Sequence, residues 1–415
     1  MNSAVKRRIT DIKGGAIPIG YKSTKIGKIP EVWTYCQPKD LFCGKSIKNN
    51  SPELPVLSVT QENGVMLRSE MDKDISYKEE SVSSYKRVDV GDFVISLRSF
   101  EGGIEYSSCQ GVVSPAYTIF SCSENVCGDY FKYYFKSDFF IKKLNTAVYG
   151  IRDGKQIGFQ DFSNLFIHCP PLEEQRRIAE ILGCCDRVIA LKKELIAEKK
   201  KQKKALMQKL LNPDSGFRLP GFSGEWKNIV LEDICSFAGG GTPDTKREDF
   251  WNGTIPWISS ADVEEKNFSV NPHRFITTEA IKFSATQLCP QESLLIVSRV
   301  GVGKIAITQE PLCTSQDFTN LTKINGNVIF YAYLLKTILE AKARQTQGTS
   351  IKGITVAEIK HFQLAVPQSL KEQQAIADIL SGADKEIDLL EQELAQQEQK
   401  KKSLMQLLLT GIVRV

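Results

Sequence analysis

The sequence has few residues of the kinds that bind metals, and it has no long apolar run. It contains three histidines and eleven cysteines in 415 residues, with no Cys-x-x-Cys pair. An odd number of irregularly spaced cysteines argues against a zinc site or a disulfide framework and favours a reducing, cytoplasmic compartment. No stretch approaches the roughly 20 apolar residues of a membrane span. The basic start MNSAVKRRITDIKGG also lacks the apolar segment of a signal peptide. We therefore expect no membrane partner.

Complete catalytic and nucleotide-binding motifs are missing as well. Residues 44–46 (GKS) and 301–304 (GVGK) resemble parts of a phosphate-binding P-loop, but Lys39 stands where the leading glycine belongs and no Ser or Thr follows Lys304. Residues 271–274 (NPHR) are only a poor likeness of a methyltransferase catalytic segment, and no nucleophile elbow or zinc-protease helix occurs. These absences argue against an enzyme.

What the sequence does contain is a 40-residue segment that occurs twice, 198 residues apart. Residues 172–211 and 370–409 align without a gap and are identical at 18 of 40 positions. A repeat of this length is typical of a supersecondary unit copied whole. Each copy follows a block of about 135 residues whose two versions have diverged. The chain therefore reads as block, helix, block, helix.

Apolar residues at alternating steps of three and four predict that each copy is a long helix with a coiled-coil seam. At 1.5 Å per residue, each helix would be about 60 Å long. The packing residues that we assign to the seams are Ile178, Leu182, Ile189, Ile196 and Leu206 in the first copy and Ile376, Leu380, Ile387, Leu394 and Leu404 in the second.

Polar residues interrupt both seams at matching places: Lys199 and Lys203 in the first copy, Gln397 and Lys401 in the second. Because a polar seam residue lowers stability, we favour the interpretation that these side chains face solvent. The alternative is that they set the pairing register. Residues 172–211 have a net charge of +5 and residues 370–409 have −3. This charge complementarity, together with the intervening block, favours antiparallel packing of the two helices.

The blocks are predicted to be α+β. Residues 92–97, 113–120, 294–297 and 304–308 have the composition of strands, and residues 131–144 and 327–345 that of helices. Glycine-rich turns separate the strands at residues 100–103, 239–243 and 301–303.

Taken together, these segments resemble the specificity subunit of type I DNA restriction-modification enzymes. The pattern L-x-E-Q-x-x-I-A-x-I-L-x-x-x-D, with a proline two or three residues before it, closes each divergent block of that family, and here it includes Glu174, Gln175 and Asp186, then Glu372, Gln373 and Asp384. Residues 239–243 (GGGTP), 250–259 (FWNGTIPWIS) and 314–317 (TSQD) resemble one type of target-recognition domain, and residues 91–103 with 111–115 another. The resemblance covers essentially the whole chain.

The resemblance implies two globular target-recognition domains in a pseudo-two-fold arrangement, separated by two long antiparallel coiled-coil helices. The boundaries we expect are an N-terminal segment at 1–30, domain 1 at 31–170 (block 1), helix 1 at 171–212, a linker at 213–225, domain 2 at 226–367 (block 2) and helix 2 at 368–411.

The resemblance also implies a non-catalytic recognition subunit. Each block would read one half of a bipartite double-stranded DNA target. The helices would set the spacing and dock two adenine methyltransferase subunits, and restriction and translocase subunits would join the complex. No cofactor is expected on this chain, since S-adenosylmethionine, ATP and magnesium would bind the partners.

Candidate DNA-binding residues are polar or basic residues on or near the glycine-rich loops, where backbone can approach a phosphate and a side chain can enter a groove. They are Arg98, Ser99, Arg152, Lys155, Ser58, Thr60 and Gln61 in block 1 and Ser259, Ser260, Arg299, Lys304, Ser350 and Lys352 in block 2. For each of them, a solvated or locally capping role is the alternative. The lysine run at 199–204 is better explained as a solvated helix face or a methyltransferase contact than as a DNA contact.

Two other functional classes remain open at this point. A coiled-coil adaptor whose blocks bind proteins would have no DNA sequence specificity, and its affinity for DNA would not show the steep salt dependence of a DNA reader. A nucleotide-dependent enzyme would bind ATP in spite of the broken P-loops.

Overall fold

The computed structural model divides into two compact units. Unit 1 combines residues up to 191 with residues 394–415, and unit 2 is the continuous stretch 192–393. Each unit therefore holds one block together with part of both long helices. The structure describes residues 3–25, 27–48, 53–60, 64–71, 79–95, 103–148, 157–264, 266–299, 302–345 and 353–415.

Unit 1 is built around a four-stranded antiparallel sheet with strand order β4-β11-β8-β9. The other described strands of unit 1 form four two-stranded sheets, β1-β2, β3-β12, β5-β6 and β7-β10. The strands are β1 (Tyr21–Thr24), β2 (Gly27–Pro30), β3 (Thr34–Cys36), β4 (Phe42–Lys45), β5 (Leu57–Thr60), β6 (Gly64–Leu67), β7 (Lys86–Val88), β8 (Phe93–Ile95), β9 (Ile104–Tyr106), β10 (Gly111–Val113), β11 (Thr118–Cys122) and β12 (Ile167–Cys169). The helices of block 1 and the segment before it are α1 (Ser3–Lys13), α2 (Gly128–Tyr134), α3 (Asp138–Val148) and α4 (Phe159–Ser163).

The core of unit 1 is rich in aromatic side chains, which supply large buried area. Phe42, Phe93, Phe120 and Phe135 pack between the four-stranded sheet and α2–α4, each with at most 2% exposure. The apolar seam residues Ile178 and Leu182 of the first long helix belong to the same buried cluster. The start of that helix is thus part of the core of block 1.

Unit 2 repeats this plan. Its main sheet has the order β14-β21-β18-β19, and a second sheet, β16-β15-β20-β17, lies beside it. The strands are β13 (Trp226–Val230), β14 (Ser236–Gly239), β15 (Ile255–Ile258), β16 (Arg274–Ile276), β17 (Leu288–Cys289), β18 (Leu294–Val297), β19 (Ile305–Ile307), β20 (Leu312–Thr314), β21 (Phe318–Thr322) and β22 (Gln363–Pro367). The helices of block 2 are α6 (Thr278–Lys282), α7 (Val328–Gln345) and α8 (Val356–Lys360). The main sheets of the two units match strand for strand in chain order, so the diverged blocks share the topology of their main sheet.

The two repeated segments are the long helices α5 (Leu172–Leu210) and α9 (Leu370–Leu409). They run antiparallel, because in unit 2 Lys192 pairs with Glu393 while Lys203, further along α5, pairs with Asp384, earlier in α9. In these two pairs the lysines lie on α5, the helix with net positive charge, and the acidic partners lie on α9, the helix with net negative charge, as the charge count predicts. The prediction of two long antiparallel helices is confirmed.

The other predicted seam residues pack along these helices. Ile196 and Ile387 are each 6% exposed, and Ile376 and Leu380 lie in the core cluster of unit 2. The partly buried seam positions are Ile189, Leu206, Leu394 and Leu404.

Two predictions for block 1 are wrong, because each predicted continuous element is divided into two in the structure. Residues 113–120 do not form one strand, because β10 ends at Val113, a turn closes from Tyr117 N–H to Ser114 C=O, and β11 begins at Thr118. Pro115 lies in this turn and cannot donate to a ladder. Residues 131–144 do not form one helix, since α2 and α3 are separate elements on either side of Phe135. By contrast, the strand at 294–297 and the helix at 327–345 are found as β18 and α7.

Candidate nucleic-acid interface and helix joints

Three loops of unit 2 converge on the buried hydroxyl residue Ser298, which follows β18. Its N–H donates to the Asp317 carbonyl at 2.8 Å, and its own carbonyl accepts from Ile354 N–H at 2.9 Å. Ser298 is 4% exposed. One buried residue therefore ties together the β18–β19 loop, the β20–β21 loop and the segment that begins at Gly353. We call this set the block 2 loop cluster.

The glycine-rich loop at residues 239–243 joins the same cluster. Gly241 N–H donates to the Thr314 carbonyl at 2.8 Å, and the Thr242 hydroxyl donates to Gln316 Oε1 at 2.6 Å. A Cβ at position 240 would lie 1.9 Å from the Ser315 carbonyl oxygen. Glycine is required at position 240 because the two loops touch through their backbones.

Two predicted DNA contacts, Arg299 and Lys304, lie in the loop between β18 and β19. Arg299 is exposed and follows Ser298 directly, while Lys304 is partly buried and its carbonyl accepts from Val297 N–H at 2.9 Å. A Cβ on Gly353 would lie 3.3 Å from Arg299 Cα. The structure thus brings Arg299 into the block 2 loop cluster. Ser350 and Lys352 lie outside the described residues.

Ser259, a third predicted contact, has a capping role. Its N–H and hydroxyl both donate to Asp262 Oδ2, at 2.7 and 2.8 Å, and its oxygen also accepts from Arg274 at 2.8 Å. Burial alone would raise the pKa of Asp262, but these donors and Arg274 hold the pKa of that carboxyl below its usual value. The Arg274 guanidinium stacks over the Trp257 ring at 4.4 Å. Ser260, the next residue, is partly buried.

In unit 1 the described candidates are Ser58 and Thr60, both partly buried on β5. Among the described strands, β5 pairs with β6 alone, and Val56 just before it forms a parallel bridge with Val112 of β10. This placement matches that of β15 beside β20 in unit 2. The other predicted contacts of block 1 lie outside the described residues: Gln61, Arg98, Ser99, Arg152 and Lys155.

Sequence reasoning did not single out Thr242 and Gln316, which are exposed at the block 2 loop cluster. Their hydroxyl and carboxamide groups are of the kind that read base edges. The sequence does place Thr242 in the motif GGGTP and Gln316 in the motif TSQD, both of which resemble parts of a target-recognition domain. The two residues were missed because nothing in the sequence says that these motifs, more than 70 positions apart, form one surface.

Each unit also contains a joint in which a tyrosine and a lysine share one aspartate. In unit 1 the Tyr133 hydroxyl donates to Asp186 at 2.6 Å, and Lys401 Nζ lies 2.5 Å from the same carboxylate. The Lys401 ammonium also lies 5.4 Å from the centre of the Tyr133 ring. Burial and the hydrogen bond to Asp186 raise the pKa of Tyr133 well above its usual range, so the phenol remains the donor.

The joint of unit 2 has the same composition. Tyr333 donates to Asp384 at 2.5 Å, Lys203 pairs with that carboxylate, and the Lys203 ammonium lies 5.4 Å from the Tyr333 ring centre. Lys203 and Lys401 are equivalent in the repeat, as are Asp186 and Asp384. In each joint the aspartate and the lysine come from different long helices, so each block is fixed to both.

The interpretation that Lys203 and Lys401 face solvent is therefore wrong. Their side chains are only 15% and 23% exposed, and Lys199 pairs with Glu386 at 2.6 Å. Three of the four polar seam positions, those of Lys199, Lys203 and Lys401, are occupied by ion pairs that fix the register of the helices, which is the attested role of such residues. Gln397, at the fourth position, is partly buried.

A second joint uses the Glu-Gln pair of the repeated motif. Gln175 accepts from Cys127 N–H at 2.9 Å and donates to the Pro170 carbonyl at 2.8 Å. Gln373 makes the same two bonds, with Asn327 N–H at 2.9 Å and the Pro367 carbonyl at 3.0 Å. Both glutamines are at most 4% exposed. Each one joins the start of its long helix to the first turn of a block helix, α2 or α7.

The buried carboxylates beside these glutamines are neutralised by arginines. Glu174 accepts from Trp33 Nε1 at 2.9 Å and from Arg414 Nη2 at 2.7 Å, and Glu372 pairs with Arg218 at 2.7 Å. Glu174 and Glu372 are 5% and 1% exposed. Among the described residues, no group of three His, Cys, Asp or Glu side chains is placed to hold a metal ion, and no helix is both long and apolar enough to cross a bilayer.

Comparison with known proteins gives the same family twice along the chain. The family model described as "Type I restriction modification DNA specificity domain" matches residues 20–200 and again residues 223–399. The type I restriction enzyme MjaIX specificity subunit of Methanocaldococcus jannaschii is 34% identical over 179 residues, which are 42% of this chain and 40% of that protein. The EcoR124I/EcoR124II specificity subunit of Escherichia coli is 32% identical over 260 residues, 58% of this chain and 61% of that protein. Both matches thus span less than two thirds of the relative.

Similarity also extends over the full length of some proteins. The putative MjaX specificity subunit of M. jannaschii is 26% identical over 95% of this chain and 97% of its own. A solved chain of a type I R-M system has a TM-score of 0.60 at 17% identity, covering 93% of this chain and 99% of that one. The HsdS subunit from Thermoanaerobacter tengcongensis has a TM-score of 0.51, also at 17% identity, covering 93% and 98%. At such identities the likeness concerns the fold.

Proposed function

We propose that this chain, which belongs to the type I restriction modification DNA specificity family, reads a bipartite DNA target. In this proposal each block recognises one half of a split target sequence, and the chain performs no chemistry itself. Block 1 and block 2 act as independent readers because each contributes to a separate core, which the long helices complete.

The observation that carries this proposal is that two blocks of different sequence are fixed to the helices by the same joints. Tyr133 and Tyr333 bond the equivalent aspartates, and Gln175 and Gln373 bond the equivalent backbone groups. Selection for one common reading surface would favour similar loop sequences, whereas here the loop sequences differ while the joints are alike. A constant attachment with variable loops is the arrangement expected of two readers with different targets.

The paired helices are proposed to set the distance between the half-sites. Readers placed on a pseudo-two-fold scaffold contact half-sites about 34–36 Å apart, one turn of DNA. A helix of about 40 residues reaches about 60 Å, which is long enough to hold two readers at that distance. The ion pairs at Asp186 and Asp384 would keep the register of the helices, and with it the spacing.

The helices are also proposed to dock two adenine methyltransferase subunits, and the complex to include restriction and translocase subunits. Methylation of a base inside a duplex requires that the base be flipped out of the stack. That step, with S-adenosylmethionine, ATP and magnesium, is assigned to the partners. We assign part of this docking surface to Lys200, Lys201 and Lys204 on α5, whose side chains are exposed.

The test is to sequence the methylome of cells with and without this gene, with the methyltransferase expressed in both. We expect a split adenine-methylated motif that disappears on deletion, and an unchanged methylome would overturn the proposal. Exchanging residues 31–170 for those of another specificity subunit should then change one half of the motif and leave the other half intact. A change in both halves would contradict the model of two independent readers.

A further inference from the structure

The positive charge of this chain is concentrated at one end of the sequence. Residues 1–30 contain seven Lys or Arg and one Asp, which gives them a net charge of +6, whereas the whole chain has +5. Residues 31–415 together are therefore net −1. A charge distribution as uneven as this indicates a polyanionic partner for the N-terminal segment.

Helix α1 separates its side chains into two faces. Val5, Ile9 and Ile12 are partly buried against unit 1, whereas Lys6, Arg7 and Lys13 are exposed. Lys6 and Lys13 are seven residues apart, two helical turns, so they lie on one stripe of the helix. None of these three cations makes an ion pair with any residue that the structure describes.

The helix is held in place by its remaining cation. Arg8 Nη1 donates to the Ile412 carbonyl at 2.5 Å, and its guanidinium lies 5.3 Å from the centre of the Tyr21 ring. Tyr21 in turn donates to the Gly411 carbonyl at 2.5 Å. The apolar face and Arg8 are therefore used within unit 1, and the exposed charged residues that remain on α1 are the cations Lys6, Arg7 and Lys13.

We propose that this face, Lys6, Arg7 and Lys13 on α1, binds DNA phosphates without regard to sequence. A membrane-surface helix would need its apolar face free, but Val5, Ile9 and Ile12 pack inward. A protein interface would be expected to carry an apolar centre, and the exposed Ile17 and Ile19 lie in the connection to β1 instead of on this face. Phosphate binding requires only cations that water can reach.

The inference rests on the proposed function only in that the chain acts on DNA. In mechanistic terms, α1 would add affinity and speed the encounter with DNA, while the block loops supply discrimination. Its signature is a change in salt dependence that is the same for every DNA sequence.

The experiment compares the full chain with the variant Lys6→Gln/Arg7→Gln/Lys13→Gln, using fluorescence anisotropy on a duplex that contains the target motif and on a scrambled duplex of equal length. Each phosphate contact contributes about −0.9 to the slope of log K against log[salt]. We therefore expect the slope to become less steep by up to about 3 on both duplexes, with the ratio of the two affinities unchanged. The variant Lys6→Arg/Lys13→Arg should retain the original slope.

The control removes three exposed helical cations elsewhere, Lys209→Gln/Lys371→Gln/Lys400→Gln, and should leave the slope unchanged. An unchanged slope in the α1 variant, or an equal change in the control, would overturn the inference. So would loss of methyltransferase co-purification with the DNA slope intact, because α1 would then be a protein-docking element. Failure of the proposed function has a different appearance: the unmodified chain would bind both duplexes equally.

Discussion

Lys401 lies 2.5 Å from Asp186, in α5, and this pairing is repeated by Lys203 and Asp384. In each pair the lysine comes from the long helix that follows the other block. Each block is thus clamped between its own helix and the neighbouring one.

We expect Lys401→Met to lower the free energy of unfolding by about 1–2 kcal/mol, because Asp186 and Tyr133 would lose a partly buried charged partner. Urea denaturation followed by circular dichroism measures this change. Lys400→Met, at an exposed neighbouring position, serves as the control and should shift the free energy by less than about 0.5 kcal/mol. Equal effects of the two substitutions would show that the joint contributes nothing specific.

Gly240→Ala should destabilise block 2 by about 3 kcal/mol or more, because the added methyl group would meet the Ser315 carbonyl at 1.9 Å and the backbone would have to move. Gly239→Ala is a matched control at the adjacent residue, where no atom lies within 4 Å of the added Cβ. Thermal unfolding of the two variants tests this prediction. If both variants melt at the same temperature, the contact between the loops at 239–243 and 315–317 is not tight.

Acidification should destabilise unit 1 through His168. Burial, followed by the nearby charge of Lys143, lowers the pKa of His168 to about 4, while the unfolded chain keeps a value near 6.5. The unfolded state therefore binds the proton first, so the contribution to stability is complete above about pH 6.5 and is lost as the pH falls toward 4. His168→Asn should flatten the pH dependence of the melting temperature between about pH 4 and 6.5. An unchanged pH profile in this variant would exclude His168 as its source.

Arg299→Ala should weaken binding of the target duplex by about 1–3 kcal/mol, because the exposed guanidinium stands at the block 2 loop cluster. Under the proposed function, the loss should become smaller when bases of the half-site assigned to block 2 are altered and stay the same when the other half-site is altered, as measured by anisotropy on duplexes altered in either half. Lys282→Ala, at an exposed position on α6, is the control and should bind as the unmodified chain does. A loss that follows the half-site of block 1 would refute this assignment.

The long helices could be predicted from the sequence nearly to the residue, because their periodicity and charge are local properties. The environment of Lys203 could not, since its neighbour Tyr333 lies in another element and no periodicity encodes that contact. A lysine in a seam looks unfavourable until the carboxylate and the aromatic ring that surround it are known.

The candidate DNA contacts show the same limit. Arg299 was predicted from a glycine-rich turn and does lie at a convergence of loops, whereas Ser259 has its hydroxyl engaged with Asp262. A local sequence reveals that a loop is polar. Whether a given hydroxyl caps a turn or faces a ligand depends on residues such as Arg274, which arrive from another strand.

The division of the chain into units has a consequence for its synthesis. Unit 2 is one continuous stretch, whereas unit 1 needs residues 394–415 to cover Trp33 and Glu174. On a ribosome, block 1 emerges first, yet Arg414 and Gly411 reach it only after all of unit 2 has been translated. Domains generally fold as units while the chain is being made. We therefore expect unit 2 to reach its final state before unit 1, because the carboxylate of Glu174 has no Arg414 to pair with until that residue has been translated.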